Sequence, residues 1–401
     1  MRVLFTCVPG YGHFHPMVPL ARALEGAGHE VAFATAERFC RRVVESAGFR
    51  AFPAGLSPLV VHERTAEVLG LGVGDEGLAA EDAVWRFGAQ MFAGVAAPAK
   101  VPDLLGILDD WGGDVVVHDM TDFAGPVAAA RRGLGWAALS FGALQPGEFW
   151  DRAAELAAPL WAEGGVEPDA RAGMFRHLYL DTCPSSLQSP AIGDVATARP
   201  LRPVTFDNPE GTALPARVAE LGPGPLVYVT LGTVVNHAPG VLEAVVEGLG
   251  SGPWPVVLTV GPDRDPAELA GPANVHVERY LPQSLLLERC ALVACHAGSG
   301  TVLAALSRGL PLVLLPQDAN QFANADRVAE VGAGLVLRPT EVDAPAVRRA
   351  VEGALADPGL ARAAARVAAE IAAMPGPEEV VGLVEALGRG PAAVSGARTS
   401  S

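Results

Sequence analysis

Lysine is almost missing from this chain. Lys100 is the only one, and 29 basic residues stand against 45 acidic ones, for a formal net charge of -16 over 401 residues. A nucleic-acid partner calls for a basic face, and anionic lipid for a basic cluster, so the balance argues against both. Cysteine is scarce too. Cys7, Cys40, Cys183, Cys290 and Cys295 are scattered, odd in number and form no CxxC pair, which sets aside a disulfide framework and a cysteine zinc site. No apolar run approaches the roughly 20 residues that cross a bilayer. The N-terminal run of about seven lacks the length and cleavage site of a signal peptide. The expectation is a cytoplasmic protein with no membrane or nucleic-acid partner, as a monomer or homodimer.

Apolar material is plentiful instead. Half the residues are hydrophobic and 18% are charged, enough for about two buried cores at roughly 100–200 residues per domain. The segment RVLFTCV, a glycine-rich turn, the amphipathic MVPLARALEGAG and then EVAFAT form a βαβ unit, hence a parallel sheet. DVVVH (114–118) and WAALSF (136–141) continue it. Segments 57–100 and 143–180 are less regular and rich in Trp, Phe and Met. Proline and glycine then interrupt the pattern near 197–225. A second series follows: PLVYVTLGT, PVVLTVG, NVHVERYLP, LVACHAG and PLVLLPQ. The expected fold is α/β, with two Rossmann-like domains facing across a cleft. The boundaries read as 1–205, a linker 206–224, a second domain 225–375, a helix 376–388 returning to the first domain, and a disordered tail 389–401.

Chemistry gathers at the ends of strands. PGYGHFHP lacks the third glycine of a dinucleotide fingerprint, and no clear acidic residue ends the next strand. It offers His13 instead, at the carboxyl edge of the first strand and just before a helix begun by Pro16, where open α/β sheets bind ligands. His13 reads as a general base or a mere helix cap. Asp119 follows the apolar run DVVVH at the same edge. It reads either as the carboxylate that orients the imidazole or as a helix N-cap, with Asp122 competing. In the second half, Gly298, Ser299, Gly300 and Thr301 join a strand to a helix, so unpaired N–H groups there suit a phosphate. His296, Ser299 and Thr301 add donors, and Thr233 and Asn236 lie at the end of that half's first strand. Asp263-Arg264-Asp265 spells the metal-chelating D-x-D, but in a proline-bracketed loop it reads as a solvated turn. No metal is expected.

Together, YLPQ (280–283), HAGSGT (296–301), GLP (309–311) and NQFANA (320–325), with GHFHP and AGHEV near the start, resemble the inverting glycosyltransferases of the two-domain GT-B fold. The resemblance covers nearly the whole chain and is strongest to the antibiotic glycosyltransferases, such as those acting on calicheamicin. It implies that His13 removes the acceptor proton with Asp119 as its partner. It implies that Tyr280 stacks on the nucleotide base, with Leu281 beside it and Gln283 near the ribose. His296 and the 298–301 loop would hold the diphosphate, and Asn320 and Gln321 the sugar. Trp85, Met91, Phe92, Phe141 and Trp150 are the expected lining of a hydrophobic aglycone pocket.

Two departures from the family pattern bear on the donor. Asn320 stands where an acid is common, which suits a deoxygenated sugar. Ala304 stands where UDP-sugar relatives carry a glutamate for the ribose hydroxyls, which suits deoxyribose. The implied reaction is transfer of a deoxysugar from a dTDP donor, with no further cofactor, to a natural-product hydroxyl. The alternatives are a UDP-dependent glucosyltransferase, a nucleotide-sugar epimerase on the same fold, and a non-catalytic partner of another transferase.

Overall fold

A computed structural model describes residues 1–71, 81–207, 213–222, 224–232, 240–261, 264–269 and 271–390, with the backbone alone at 81–84. Thr233, Asn236, Asp263 and most of the tail expected to be disordered lie outside the described residues. The chain divides into two compact units, the first made of 1–182, 189–201 and the stretch from 375, the second of 183–188 and 202–374.

The first unit is built on seven strands: β1 Arg2–Thr6, β2 Glu30–Thr35, β3 Arg50–Pro53, β4 Val115–Asp119, β5 Gly135–Leu139, β6 Leu178–Asp181 and β7 Ala198–Pro200. Their order is β3-β2-β1-β4-β5-β6-β7 and every pairing is parallel. β4 and β5 are buried along their whole length. That burial explains why VVVH and WAAL read as unbroken apolar runs, since helices cover both faces of such a sheet. The helix Pro377–Gly388 packs on this unit through Gly135, where a Cβ would come within 2.7 Å of the Leu387 carbonyl.

The segments expected to be irregular are largely helical. Pro58–Leu69, Glu81–Ala89 and Ala97–Ile107 are α-helices, the last two joined by a π turn at Gln90–Ala96, and Gly147–Glu163 is another helix. Gly88, Gly94, Pro98 and Pro102 together with the wide turn blur the 3.6-residue period, which hid these helices in the sequence. The run Trp85–Gly112 is also long and apolar enough by composition to cross a membrane, contrary to the reading of the sequence. Its residues Ala89, Ala93, Ala97, Val101 and Leu104 lie in the core of the first unit, and its Lys100 is ion-paired to Asp122 at 2.6 Å.

The second unit holds six strands: β8 Leu226–Thr230, β9 Val256–Thr259, β10 Val275–Glu278, β11 Cys290–Cys295, β12 Leu312–Leu314 and β13 Gly334–Val336. They are all parallel in the order β10-β9-β8-β11-β12-β13. Part of the stretch read as a plain linker packs into this unit. The short helix Ala216–Ala219 is held by a bidentate Arg217–Glu278 pair and by Arg289 donating to the Val218 carbonyl.

Each sheet has one topological switch point. The chain winds outward from β1 to β3 and then returns to β4 beside β1. In the second sheet it winds from β8 to β10 and returns to β11. Crossovers leave such a pair of strands on opposite faces, which opens a crevice at their carboxyl ends. His13 and Asp119 lie at the first of these switch points, and the 296–301 loop at the second.

Candidate active site

At the first crevice, helix Tyr11–Phe14 follows the glycine turn after β1 and runs through a 3-10 turn, His15–Met17, into helix Val18–Gly26. Pro16 therefore does not begin the helix, as the sequence suggested, but sits inside it. The 3-10 turn accommodates a residue that cannot donate an α-helical bond. His13 lies in the first helical turn.

Its Nδ1 is 3.3 Å from Asp119 Oδ1 and 3.2 Å from Thr121 Oγ1. Asp119 closes β4 and is only 1% exposed. Its Oδ2 accepts from the Val8 amide at 2.7 Å, and its Oδ1 from the Thr121 amide at 2.7 Å and the Thr121 hydroxyl at 2.6 Å. Burial pushes the Asp119 pKa up, but the charge and hydrogen bonds of His13, with those of Thr121 and Val8, hold it below the usual carboxylate range. Because the single Thr121 hydroxyl proton goes to Asp119, both oxygens near His13 Nδ1 face it as acceptors. Nδ1 then carries the proton and Nε2 the lone pair.

Asp122 does not compete for His13. Its carboxylate accepts from Lys100 Nζ at 2.6 Å, the Thr6 hydroxyl at 2.7 Å and the Ala124 amide at 3.1 Å. Thr121 escaped the sequence reading, although a threonine two residues past a strand-ending aspartate is a turn signature that brings hydroxyl and carboxylate together.

Among the expected aglycone contacts, the Phe141 and Phe92 rings stand edge-on to His13 at 4.8 and 6.1 Å. Trp85 and Met91 are half-buried. Trp150 is a correction. Only 1% exposed, it packs against Phe123, Phe149 and Phe175, and its indole donates to the Gln145 carbonyl, so it belongs to the core and offers no surface to a ligand.

At the second crevice, helix Ser299–Leu306 follows β11 with Gly298 as an extended N-cap. The first-turn amides of Ser299, Gly300 and Thr301 precede any intrahelical partner. The His296 ring fills a slot between two glycines. A Cβ on Gly232 would lie 2.7 Å from the ring and one on Gly298 2.3 Å from Nε2, so neither position admits a side chain. Burial lowers the His296 pKa to about 4, against a hydrogen bond to the Thr230 backbone that raises it, which leaves a neutral imidazole held in place by that bond.

Tyr280 is 54% exposed and its hydroxyl donates to the Asp207 carbonyl, while Leu281 is buried. Gln283 Nε2 lies 3.4 Å from both the Tyr228 hydroxyl and Thr301 Oγ1, beside the glycine loop. Asn320 Nδ2 points to Ser299 Oγ at 3.3 Å. Gln321 Oε1 accepts from the Gln317 and Asp318 amides at 2.8 and 3.2 Å. Two residues not foreseen stand behind this group. Asp207 accepts from the Ser284 amide and hydroxyl, and Asn324 donates to Ala297 and Ser299.

Asp265 accepts from the Ala267 amide at 3.0 Å, capping a turn. Among the described residues no group of three or more His, Cys, Asp or Glu could hold a metal ion.

The family models described as "Erythromycin biosynthesis protein CIII-like", N-terminal and C-terminal domains, match residues 22–204 and 244–387. The L-demethylnoviosyl transferase of Streptomyces niveus is 34% identical over 353 residues, 86% of each chain. The chain belongs to this family of antibiotic glycosyltransferases. The 4'-demethylrebeccamycin synthase of Lentzea aerocolonigenes is 31% identical over 425 residues, 96% of this chain and 99% of its own. The spinosyn rhamnosyltransferase SpnG, solved with thymidine diphosphate, matches with a TM-score of 0.79 at 27% identity, covering 96% of this chain and all of its own. The two parallel Rossmann-like sheets of this glycosyltransferase are thus those of the GT-B fold.

Proposed function

We propose that this glycosyltransferase moves a deoxysugar from a dTDP donor to a hydroxyl of a hydrophobic natural-product aglycone, with inversion. One observation carries the reaction type: His13 has its Nδ1 proton tied to Asp119 and Thr121, so Nε2 is left as the base. The acceptor oxygen attacks the anomeric carbon and its proton passes to Nε2. The bond to the diphosphate breaks and the electron pair leaves with phosphate. A single displacement inverts the centre. Buried Asp119, held as a carboxylate, stabilises the imidazolium that forms.

Charge growing on the diphosphate is met by neutral donors: the first-turn amides at 299–301, beside His296. This donor set needs no metal. Tyr280 offers its ring to the base, with Leu281 adjacent. Gln283 serves the ribose, and Asn320 and Gln321 the sugar. Ala304, 4% exposed and one turn beyond Thr301, presents no carboxylate to a ribose, which favours deoxyribose, as does the thymidine diphosphate bound to SpnG.

Residues 1–205 and the helix 376–388 serve the aglycone in this reading, and 225–375 the donor. Phe92 and Phe141 are the nearest aglycone contacts to the base. Five free cysteines and the acidic balance support a cytoplasmic site, away from nucleic acid and membrane.

The test is transfer from a dTDP-deoxysugar to a panel of polyketide and aromatic alcohols under exhaustive chelation. An inverted product is expected, and His13→Ala should lose about 10²–10⁴ in turnover with dTDP binding unchanged. Activity abolished by chelation and restored by Mn²⁺, or a retained anomeric configuration, would overturn the mechanism.

A further inference from the structure

We propose that Asn324 is the positioning residue of the diphosphate loop: it fixes the Ser299 hydroxyl as a donor and pins Ala297 in its left-handed backbone. The proposal rests on the donor-site reading above and names what gives that loop its polarity.

Asn324 sits on helix Gln321–Glu330, and its Nδ2 donates to the Ala297 carbonyl at 2.9 Å and to Ser299 Oγ at 3.0 Å. A carbonyl oxygen can only accept, so the Ala297 contact decides which end of the amide faces the loop. Ser299 Oγ must then accept as well. Asn320 Nδ2 approaches the same oxygen at 3.3 Å. A hydroxyl has two lone pairs and one proton. With both lone pairs turned to amide N–H groups, the proton points away from them.

Ala297 is held in a strained backbone conformation. Its φ of 65° makes it one of three described non-glycine residues in the left-handed region, and Ala319, next to Asn320, is another at 53°. Such a conformation persists only where its surroundings over-determine it. The Asn324 bond to the Ala297 carbonyl is that restraint. It turns the chain sharply between His296 and Gly298, and the helix starts at Ser299 with its first amides free of intrahelical partners.

The result is a helix start that presents donors: the first-turn N–H groups and one directed hydroxyl. An aspartate of the same shape at 324 would reverse this. It would take up the Ser299 proton, oppose the Ala297 carbonyl, and set a negative charge beside the place of the diphosphate.

The experiment compares binding of dTDP, by calorimetry, and of thymidine, by ligand-observed NMR, to the full-length protein. Asn324→Asp should weaken dTDP by about a hundredfold, and Ser299→Ala by about tenfold, the scale of lost hydrogen bonds to a charged group. Thymidine, which has no phosphate, should change by less than about twofold in both. If Asn324→Asp does not fold, Asn324→Ala removes the donor without adding charge, and about a tenfold loss confined to dTDP is expected. Equal losses for both ligands would mean a merely structural residue, and an unchanged dTDP affinity in Asn324→Asp would also overturn the proposal. A wild-type protein that binds dTDP no better than thymidine would instead sink the donor-site reading beneath it.

Discussion

Asp119→Asn is the sharpest probe of the base, because the hydrogen bonds around this side chain decide what the amide can do. If the new NH₂ took the Oδ1 position, it would face the Thr121 amide and hydroxyl and His13, all three of them donors. At the Oδ2 position it would meet only the Val8 amide. The second orientation wins, leaving the Val8 N–H and the new NH₂ facing each other without acceptors, at a cost of at least about 1–3 kcal/mol in stability. The remaining oxygen still accepts from His13, so the tautomer survives and only the charge is lost. At 3.3 Å the attraction between imidazolium and carboxylate is about 5 kcal/mol for an effective dielectric near 20. His13 keeps 21% of its side-chain surface, and solvent screening then leaves roughly half, about 2–3 kcal/mol, or a loss of about 10² in kcat/KM. Transfer rates to a working acceptor and urea unfolding measure the two effects separately. Activity within about threefold of wild type would show that the ion pair plays no part in the chemistry. A loss of about 10⁴, the scale seen when the wrong tautomer is fixed, would show that the tautomer flipped, and that the assignment of protons around Asp119 is wrong.

Two further outcomes are expected. Ala304→Glu should shift nucleotide preference toward UDP, mainly by weakening dTDP by roughly 1–3 kcal/mol, because a carboxylate facing deoxyribose keeps only one hydroxyl partner. Titration of both nucleotides into both proteins checks this, and a wild type that already prefers UDP by about tenfold or more would refute the deoxysugar reading. Burial lowers the pKa of His15 and of His296 from 6.5 to about 4. The folded protein keeps both neutral while the unfolded chain takes up protons, so stability is full above about pH 6.5 and falls as the pH drops toward 4. Each histidine should cost about 1.3 kcal/mol between roughly pH 7.5 and 5.5. Urea midpoints in wild type and His15→Asn measure that share, and a wild-type stability flat across the window would contradict it.

How much of this was legible in the sequence depends on how local the signal is. The two parallel sheets announced themselves because β4, β5, β8 and β11 are buried runs, and a buried strand leaves an uninterrupted apolar pattern. Strand ends then placed His13, Asp119 and the 298–301 loop without any contact being known. Helices with internal proline and wide turns, such as 85–112, gave no clean period and were missed. Trp150 was misplaced for a related reason: aromatic residues line pockets and fill cores alike, and only burial separates the two. Asp207 could not be read at all, and Asn324 only as a letter of the NQFANA motif without a role, since each acts on a partner brought close by folding, 77 residues away for Asp207 and Ser284, and 27 for Asn324 and Ala297.

Those unread residues share a physical task. A histidine at a strand end is ambiguous, since either ring nitrogen can hold the proton, and Thr121 with Asp119 settles it by presenting two acceptors to Nδ1. A serine at a helix start is equally ambiguous, since its hydroxyl can give or take, and Asn324 with Asn320 settles it by presenting two donors. The first crevice is thereby left able to take a proton, the second able to meet an anion. These are the two demands of displacing a diphosphate with a hydroxyl. The reacting groups can be recognised by residue type, but the direction of their protons is set by neighbours whose type alone says nothing. A variant that keeps His13 and Ser299 while exchanging donors for acceptors around them should therefore lose function without losing fold.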